Sequence, residues 1–355
     1  MKEQNELGRR IARLIAAQGP ISIAQFITLA LHDPRGGYYA TRDPLGADFI
    51  TAPEMTQAFG ELLGLWCAQV WHEQGKPNPA RLVELGPGRA TLMADALRAA
   101  RLIPQFLAAL EVVLVETSPV LAAIQKETLR DCAATLRWVT SAADIARDRP
   151  QFTIANEFLD ALPIRQFAMR EKFWCERLVG LDDTDELAFV FAPAPWRLSL
   201  PPERGEPAPG AVYETCAAAN ALVEDLARGI AAEGGAALFI DYGHTGTGFG
   251  DTLQAVGGNR FKDVLAAPGE ADLSAHVDFD AIARAARAGG AEVYGPLAQG
   301  KFLEALGIRE RAATLAQTAS AELAAVDRLT QPEQMGTLFK ALAILPKSSP
   351  PPPGF

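Results

Sequence analysis

Apolar residues recur along this chain with two different periods. Over residues 5–31 they follow helical spacing in two blocks broken at "QGPIS", where Gly19-Pro20 stops one helix and Ser22 can cap the next. The stretch "TQAFGELLGLWCAQVWHEQG" returns to that spacing, with Phe59, Leu62, Leu63, Trp66 and Val70 on one face. Between these blocks lies "HDPRGGYYATRDPLGADFITAPE", rich in Gly, Pro and Asp and expected to be a long loop of functional importance. From Arg81 short continuous apolar runs alternate with helical segments: "RLVEL", "EVVLVE", "LRWVT", "FTIANE" and, much later, "AALFIDYG". Such runs predict a mostly parallel sheet covered by helices on both faces, an α/β fold of Rossmann-like type.

The alternation is interrupted twice. "IRQFAMREKFWCERLVGL" and "ELAFVFAP" predict added antiparallel strands, and a Gly-, Asp- and Thr-rich stretch follows Gly243. Toward the C-terminus the pattern predicts a helix at "DFDAIARAARAGG", a strand at "AEVYGPLAQ", two more helices and a closing apolar segment, "MGTLFKALAIL". The expected organisation is a helical and loop segment over 1–78 and an α/β domain over 79–345, with insertions at about 163–212 and 244–277. A Pro-rich tail over 346–355 is expected to be disordered.

Composition narrows the function. With 355 residues, 49% of them apolar, the chain can bury a full core, and no run approaches the roughly 18 apolar residues of a membrane span. The first residues read as an amphipathic helix rather than a signal or transit peptide. A net charge of −10 argues against a general nucleic-acid surface. Four scattered cysteines and four histidines show neither disulfide nor metal-ligand spacing, so no metal is expected. Arginine outnumbers lysine and alanine is abundant, which suggests a GC-rich bacterial source and a cytoplasmic protein.

The sharpest chemistry lies at "RLVELGPGRATLMADAL". A strand that runs into Gly86-Pro87-Gly88 and then a helix is either an ordinary turn or a nucleotide-like site, where backbone N–H groups at a helix N-terminus meet a ligand. Glu84 at the strand end repels a pyrophosphate and suits an ammonium group. Thr91 stands where a dinucleotide fingerprint has its third glycine, and Glu116 ends the next strand, where an acid can accept from both ribose hydroxyls. S-adenosylmethionine satisfies all three conditions better than NAD. The candidate cofactor residues are Glu84, Gly86, Gly88, Glu116 and Ser118.

A second constellation, Asn156, Glu157 and Asp160, follows the strand "FTIANE". Glu157 and Asp160 are one helical turn apart, so they either hold a cationic acceptor such as arginine or merely begin a capped helix. Asp241 and His244 end a later strand and can orient substrate or accept a proton, or serve structure alone. Tyr38 and Tyr39 can line a substrate pocket or anchor packing.

Seven segments in order, "GPISIAQFITLALHDPRGGYY", "DFITAPEMTQAFGELLG", "LVELGPGRATLMAD", "ANEFLDALPIRQF", "FIDYGH", "DVLAAPGEADLSAHVDF" and "MGTLFKALAI", resemble the MidA-type methyltransferases, over about residues 5–345. That family is related to the mitochondrial complex I assembly factor that methylates an arginine. The resemblance implies a class I methyltransferase fold and S-adenosylmethionine as cofactor. It places Glu84, Gly86, Gly88 and Glu116 at the cofactor and Asn156, Glu157 and Asp160 beside the transferred methyl. For the mitochondrial branch it implies symmetric dimethylation of an arginine on the complex I subunit facing the quinone pocket. A eukaryotic source would imply the mitochondrial matrix. Two other functions stay open: an assembly chaperone with a vestigial cofactor site, and a small-molecule methyltransferase. The chain departs from the family at Ala90, where the loop usually ends in glycine, and at Ile50, where threonine is common. If Ala90 is already helical the change is harmless, and that is the expectation, since Thr91 onward reads as helix.

Overall fold

The structure, a computed structural model, describes residues 5–41, 50–198, 200, 205–246, 248–316, 321–347 and 349–355. Residues 42–49 of the loop expected between Asp33 and Glu54 lie outside the described residues. The chain divides into two compact units. One comprises Ile50–Leu159, Asn220–His244 and Phe279–Phe355; the other comprises Met1–Phe49, Asp160–Ala219 and Thr245–Asp278.

The first unit is built on seven strands: β1 (Ala80–Leu85), β2 (Leu110–Val115), β3 (Thr135–Val139), β4 (Gln151–Asn156), β5 (Gly235–His244), β6 (Glu292–Ala298) and β7 (Phe339–Leu345). Their order is β6-β7-β5-β4-β1-β2-β3. β1 pairs in parallel with both β2 and β4, and β5 runs parallel to β4. β7 opposes its neighbours, antiparallel to β5 and to β6. The continuous apolar runs have the expected cause, since every residue of β1 is buried. Arg81 tolerates burial there because its guanidinium reaches Glu111 (2.9 Å), Asp148 (3.1 Å) and the carbonyl of Ala146 (2.6 Å). The chain leaves β1 toward β2 on one side and returns to β4 on the other. The carboxyl ends of β1 and β4 therefore flank a topological switch point, where open parallel sheets bind ligands.

Helix Gln57–Glu73 lies against helix Thr91–Ala100, which follows the glycine turn. Their closeness depends on two glycines: a Cβ at Gly64 would stand 2.5 Å from Ala96 Cα, and one at Gly60 would stand 2.7 Å from Asp95 Cβ. Phe59, Leu63, Trp66 and Val70 are buried on that helix, as its spacing predicts.

The second unit joins the N-terminal helices to both insertions. Asn5 caps helix Glu6–Gln18 by accepting from Gly8 N (2.8 Å), and Ser22 caps helix Ile23–His32 by accepting from Gln25 N (3.1 Å). Strands Arg165–Arg170, Phe173–Leu181 and Leu187–Phe191 form the predicted antiparallel addition. Leu7, Ile11, Phe26, Leu31 and Tyr38 share their core with Val179 and Leu273.

Two expectations about organisation change. The N-terminal segment is not one body over 1–78, because residues from Ile50 onward belong with the sheet and those before it with the insertions. The tail expected to be disordered is docked over residues 349–355: Trp66 Nε1 donates to the carbonyl of Pro353 (3.0 Å), and the rings of Phe355 and Phe302 lie 5.1 Å apart. Proline content alone suggested disorder, whereas the terminal aromatic supplies enough apolar surface to dock the segment.

Candidate active site

The site begins where β1 ends. Glu84 is 3% exposed, and its Oε2 has no hydrogen-bond partner among the described residues. Burial pushes its carboxyl well above the usual range, and a hydrogen bond from the backbone N–H of Met93 opposes that shift. An under-partnered buried acid suits a cationic ligand group, whose charge would draw it into its ionised form. Gly86 and Gly88 both take positive φ, 61° and 54°. A Cβ at Gly86 would meet Phe158 Cδ2 at 2.8 Å, so the glycine lets the turn and the segment after β4 approach closely.

Ala90 corrects the sequence expectation. It is not helical but left-handed, with φ 63° and ψ 23°, and it immediately precedes helix Thr91–Ala100. The helix begins at Thr91, as its pattern predicts, but Ala90 lies outside it as a left-handed cap, so the family's glycine is replaced at a position that takes positive φ. A non-glycine residue there costs roughly 1–2 kcal/mol. The Ala90 N–H donates to Pro87 O (2.6 Å), which closes the turn.

Glu116, just beyond β2, accepts from Ser118 N at Oε1 (2.7 Å) and from Gln125 Nε2 at Oε2 (2.9 Å). Burial raises its carboxyl pKa, with these hydrogen bonds opposing the shift. Gln125 Nε2 also donates to Gly88 O (2.9 Å), and Gln125 Oε1 accepts from Trp138 Nε1 (3.0 Å). One buried amide thus ties Glu116 to the glycine turn. Ser118 is itself buried, and its hydroxyl caps helix Pro119–Thr128 by accepting from Leu121 N. Its contribution beside Glu116 is therefore to orient that carboxylate through its backbone N–H.

The segment after β4 is a turn, not the start of a helix. Glu157 has φ 49°, and its N–H donates to Ile240 O (2.9 Å). The N–H groups of Phe158 and Leu159 both donate to Asp241 Oδ2, at 3.1 and 2.9 Å. Asp241, 1% exposed at the end of β5, is thereby the acceptor that folds this turn. Glu157 Oε1 accepts from Ala52 N (3.2 Å) and Asn156 Nδ2 (3.1 Å), which fixes the carboxylate plane. Asn156 is buried, and its Oδ1 has no partner among the described residues. His244 is half-buried at the last position of β5.

Asp160 belongs to the other unit. There it is buried, with its carbonyl accepting from Ala275 N (3.0 Å). It raises the pKa of the Tyr39 phenol by its charge, after burial and Asp272. Tyr39 donates to Asp272 Oδ1 (2.8 Å), while Tyr38 is fully buried in the core, as a packing anchor is. The helical-turn relation expected between Glu157 and Asp160 is absent, because the positive φ at Glu157 breaks the helix before it starts.

Sequence reasoning missed Gln125, Phe158 and Glu54, which accepts from Thr91 Oγ1 (2.5 Å) where the helix after the turn begins. Gln125 left a trace: it interrupts the apolar stripe Leu121-Gln125-Leu129 at helical spacing. Phe158 and Glu54 left none, since their roles depend on segments distant in sequence.

Comparisons with known proteins place the chain in a family. The family model described as "Putative S-adenosyl-L-methionine-dependent methyltransferase" matches residues 62–297. The chain belongs to this methyltransferase family. It is 38% identical to the zebrafish (Danio rerio) protein arginine methyltransferase NDUFAF7, mitochondrial, over 95% of this chain and 86% of that protein. The human (Homo sapiens) counterpart is 36% identical over 95% of this chain and 83% of its own length. A crystal structure from Burkholderia thailandensis, bound to S-adenosyl-homocysteine, superposes with a TM-score of 0.82 at 29% identity, covering 98% of this chain and 93% of that one. The enzyme is an S-adenosylmethionine-dependent methyltransferase with a Rossmann-like α/β fold. The under-partnered Glu84 oxygen, the two positive-φ glycines and the oriented Glu116 fit that cofactor: an ammonium, a close backbone approach and a ribose diol.

Proposed function

We propose that this enzyme is a protein arginine N-methyltransferase. The observation that carries the reading is Glu157, a carboxylate held beyond β4 by Ala52 N and Asn156 Nδ2 in the same unit as the cofactor turn. The relatives named as protein arginine methyltransferases, matched over nearly the whole chain, support it. The resemblance seen in the sequence supplies the acceptor, an arginine on the respiratory complex I subunit facing the quinone pocket. The arginine-rich composition supports a bacterial cytoplasmic enzyme; the mitochondrial location belongs to the names of the relatives.

When bound, S-adenosylmethionine supplies an electrophilic methyl group. Glu84 would hold the ammonium, Gly86 and Gly88 would let the backbone close on the ligand, and Glu116 would accept from the ribose hydroxyls. Glu157 accepts hydrogen bonds from the acceptor guanidinium and orients a nitrogen toward the methyl. Its negative charge also offsets the positive charge on the acceptor, and its carboxylate can take up the proton that the methylated nitrogen releases and pass it to water. Asn156 sets the plane of Glu157. Asp241 holds the turn that presents Glu157, and His244 ends the same strand on the substrate side.

A second reading, a partner-binding assembly protein with a vestigial cofactor site, rests on the left-handed Ala90. Calorimetric titration with S-adenosylmethionine and with NAD, repeated with Gly88→Val, separates the two. Saturable binding of the first alone, lost in the variant, places the methyl donor in the glycine turn. Incubation with arginine peptides of the quinone-pocket subunit should then add methyl groups, read by mass. Cofactor binding without methylation of any such peptide would refute the acceptor assignment.

A further inference from the structure

Ala90 is buried and left-handed, yet no glycine relieves it, so neighbouring groups must hold it in place. Both of its sequence neighbours face the same carboxylate. Thr91 Oγ1 donates to Glu54 Oε1 at 2.5 Å, and Arg89 Nη1 lies 3.9 Å from Glu54 Oε2. Glu54 sits on the short helix Ala52–Met55, whose first N–H, that of Ala52, donates to Glu157 Oε1. The following residue, Thr56, caps helix Gln57–Glu73 by accepting from Ala58 N (3.1 Å) and donates to Glu322. Glu54 is thus presented to the glycine turn from a segment anchored independently of that turn.

We infer that Glu54 is a positioning residue for the methyl-donor turn, clamping Arg89 and Thr91 so that the strained Ala90 keeps the turn in its binding shape. The inference rests on the methyl-donor reading above. Glu54 acts through Arg89 and Thr91 rather than by touching the cofactor. Without the clamp the turn relaxes away from the left-handed conformation, and the ligand must then restore it at the expense of affinity. A plain helix-terminus role, in which the carboxylate only favours the start of helix Thr91–Ala100, affects stability and leaves affinity alone.

The test is calorimetric titration of the full chain with S-adenosyl-homocysteine, with thermal unfolding measured on each variant. Glu54→Ala and Thr91→Val, the second nearly isosteric, should each weaken binding about tenfold, as expected for one charge-assisted hydrogen bond. The double variant should be no weaker than Glu54→Ala alone, because Glu54→Ala already removes the contact that Thr91→Val loses. Ala90→Gly placed in the Glu54→Ala background should recover most of the lost affinity, since glycine takes positive φ unaided. Glu54→Gln, which keeps an acceptor for Thr91, should lose less than Glu54→Ala. Equal affinity in wild type and Glu54→Ala with a lowered Tm would overturn the inference in favour of the helix-terminus role. Additive losses with no rescue by Ala90→Gly would overturn it as well. A wild-type chain that binds no S-adenosyl-homocysteine would overturn the methyl-donor reading and this inference together; in the other two outcomes that reading survives.

Discussion

Glu84→Gln separates what the fold needs from what the ligand needs. Burial raises the Glu84 carboxyl well above its usual range, and one oxygen has no partner among the described residues. In the unfolded chain the group titrates near its ordinary value of about 4.3. Below that pH it is protonated in both states, so the substitution changes no charge. As pH rises, the unfolded chain releases the proton while the ligand-free fold retains it, so the wild type loses stability until the folded group also ionises. The stability of Glu84→Gln relative to wild type should therefore climb with pH from about 4.3 upward, by on the order of 1–3 kcal/mol for one buried under-partnered acceptor. Binding should move the other way. A hydrogen bond between two charged groups contributes about 1.5–3 kcal/mol, so Glu84→Gln should bind S-adenosyl-homocysteine roughly 10- to 150-fold more weakly near neutral pH. Proton release from Glu84 on binding should make the wild-type calorimetric heat depend on the buffer's ionisation enthalpy, and the variant should lose that dependence. The reasoning fails if the variant binds as tightly as wild type, or if its ligand-free form loses stability relative to wild type as pH rises.

Gly86→Ala combines a left-handed φ with a Cβ that would stand 2.8 Å from Phe158. It should lower stability by about 2–4 kcal/mol and weaken cofactor binding, read by thermal unfolding and calorimetry; an unchanged Tm would contradict the geometry. Asp241→Asn replaces the oxygen that accepts from Phe158 N and Leu159 N. With an arginine peptide, kcat should fall more than tenfold while the dissociation constant for S-adenosyl-homocysteine changes little, and the reverse split would mean that Asp241 serves the cofactor instead. Phe355→Ala tests the docked terminus: loss of the ring that faces Phe302 should cost about 1–3 kcal/mol in denaturant unfolding. No change there would indicate a segment that does not hold its place in solution.

The glycine turn was legible because its chemistry is local. A strand that ends in an acid, two glycines and a helix lie within a dozen residues, and Glu116 follows at the next strand end. Ala90 shows the limit of that kind of reading. Helix propensity favours alanine at a helix start, but the turn closed by Pro87 O demands positive φ one residue before the helix begins. The segment after β4 shows the same limit, since Asn-Glu followed by an acid three residues later looks like a helix start in any sequence. Asp241, more than eighty residues away, captures its N–H groups and makes it a turn.

The sequence by itself determined the strands, most helices, the parallel core and the acids at the strand ends. These follow from hydrophobic period and from residue type, which act over a few positions. The tertiary structure alone decided that both insertions join the N-terminal helices, that the Pro-rich terminus docks on Trp66 and Phe302, and that Ser118 and Asp241 spend their side-chain oxygens on backbone N–H groups. It also placed Gln125 and Glu54 against the glycine turn. Those outcomes depend on which distant segments meet, and a buried polar group takes whichever partner the packing brings within hydrogen-bond reach.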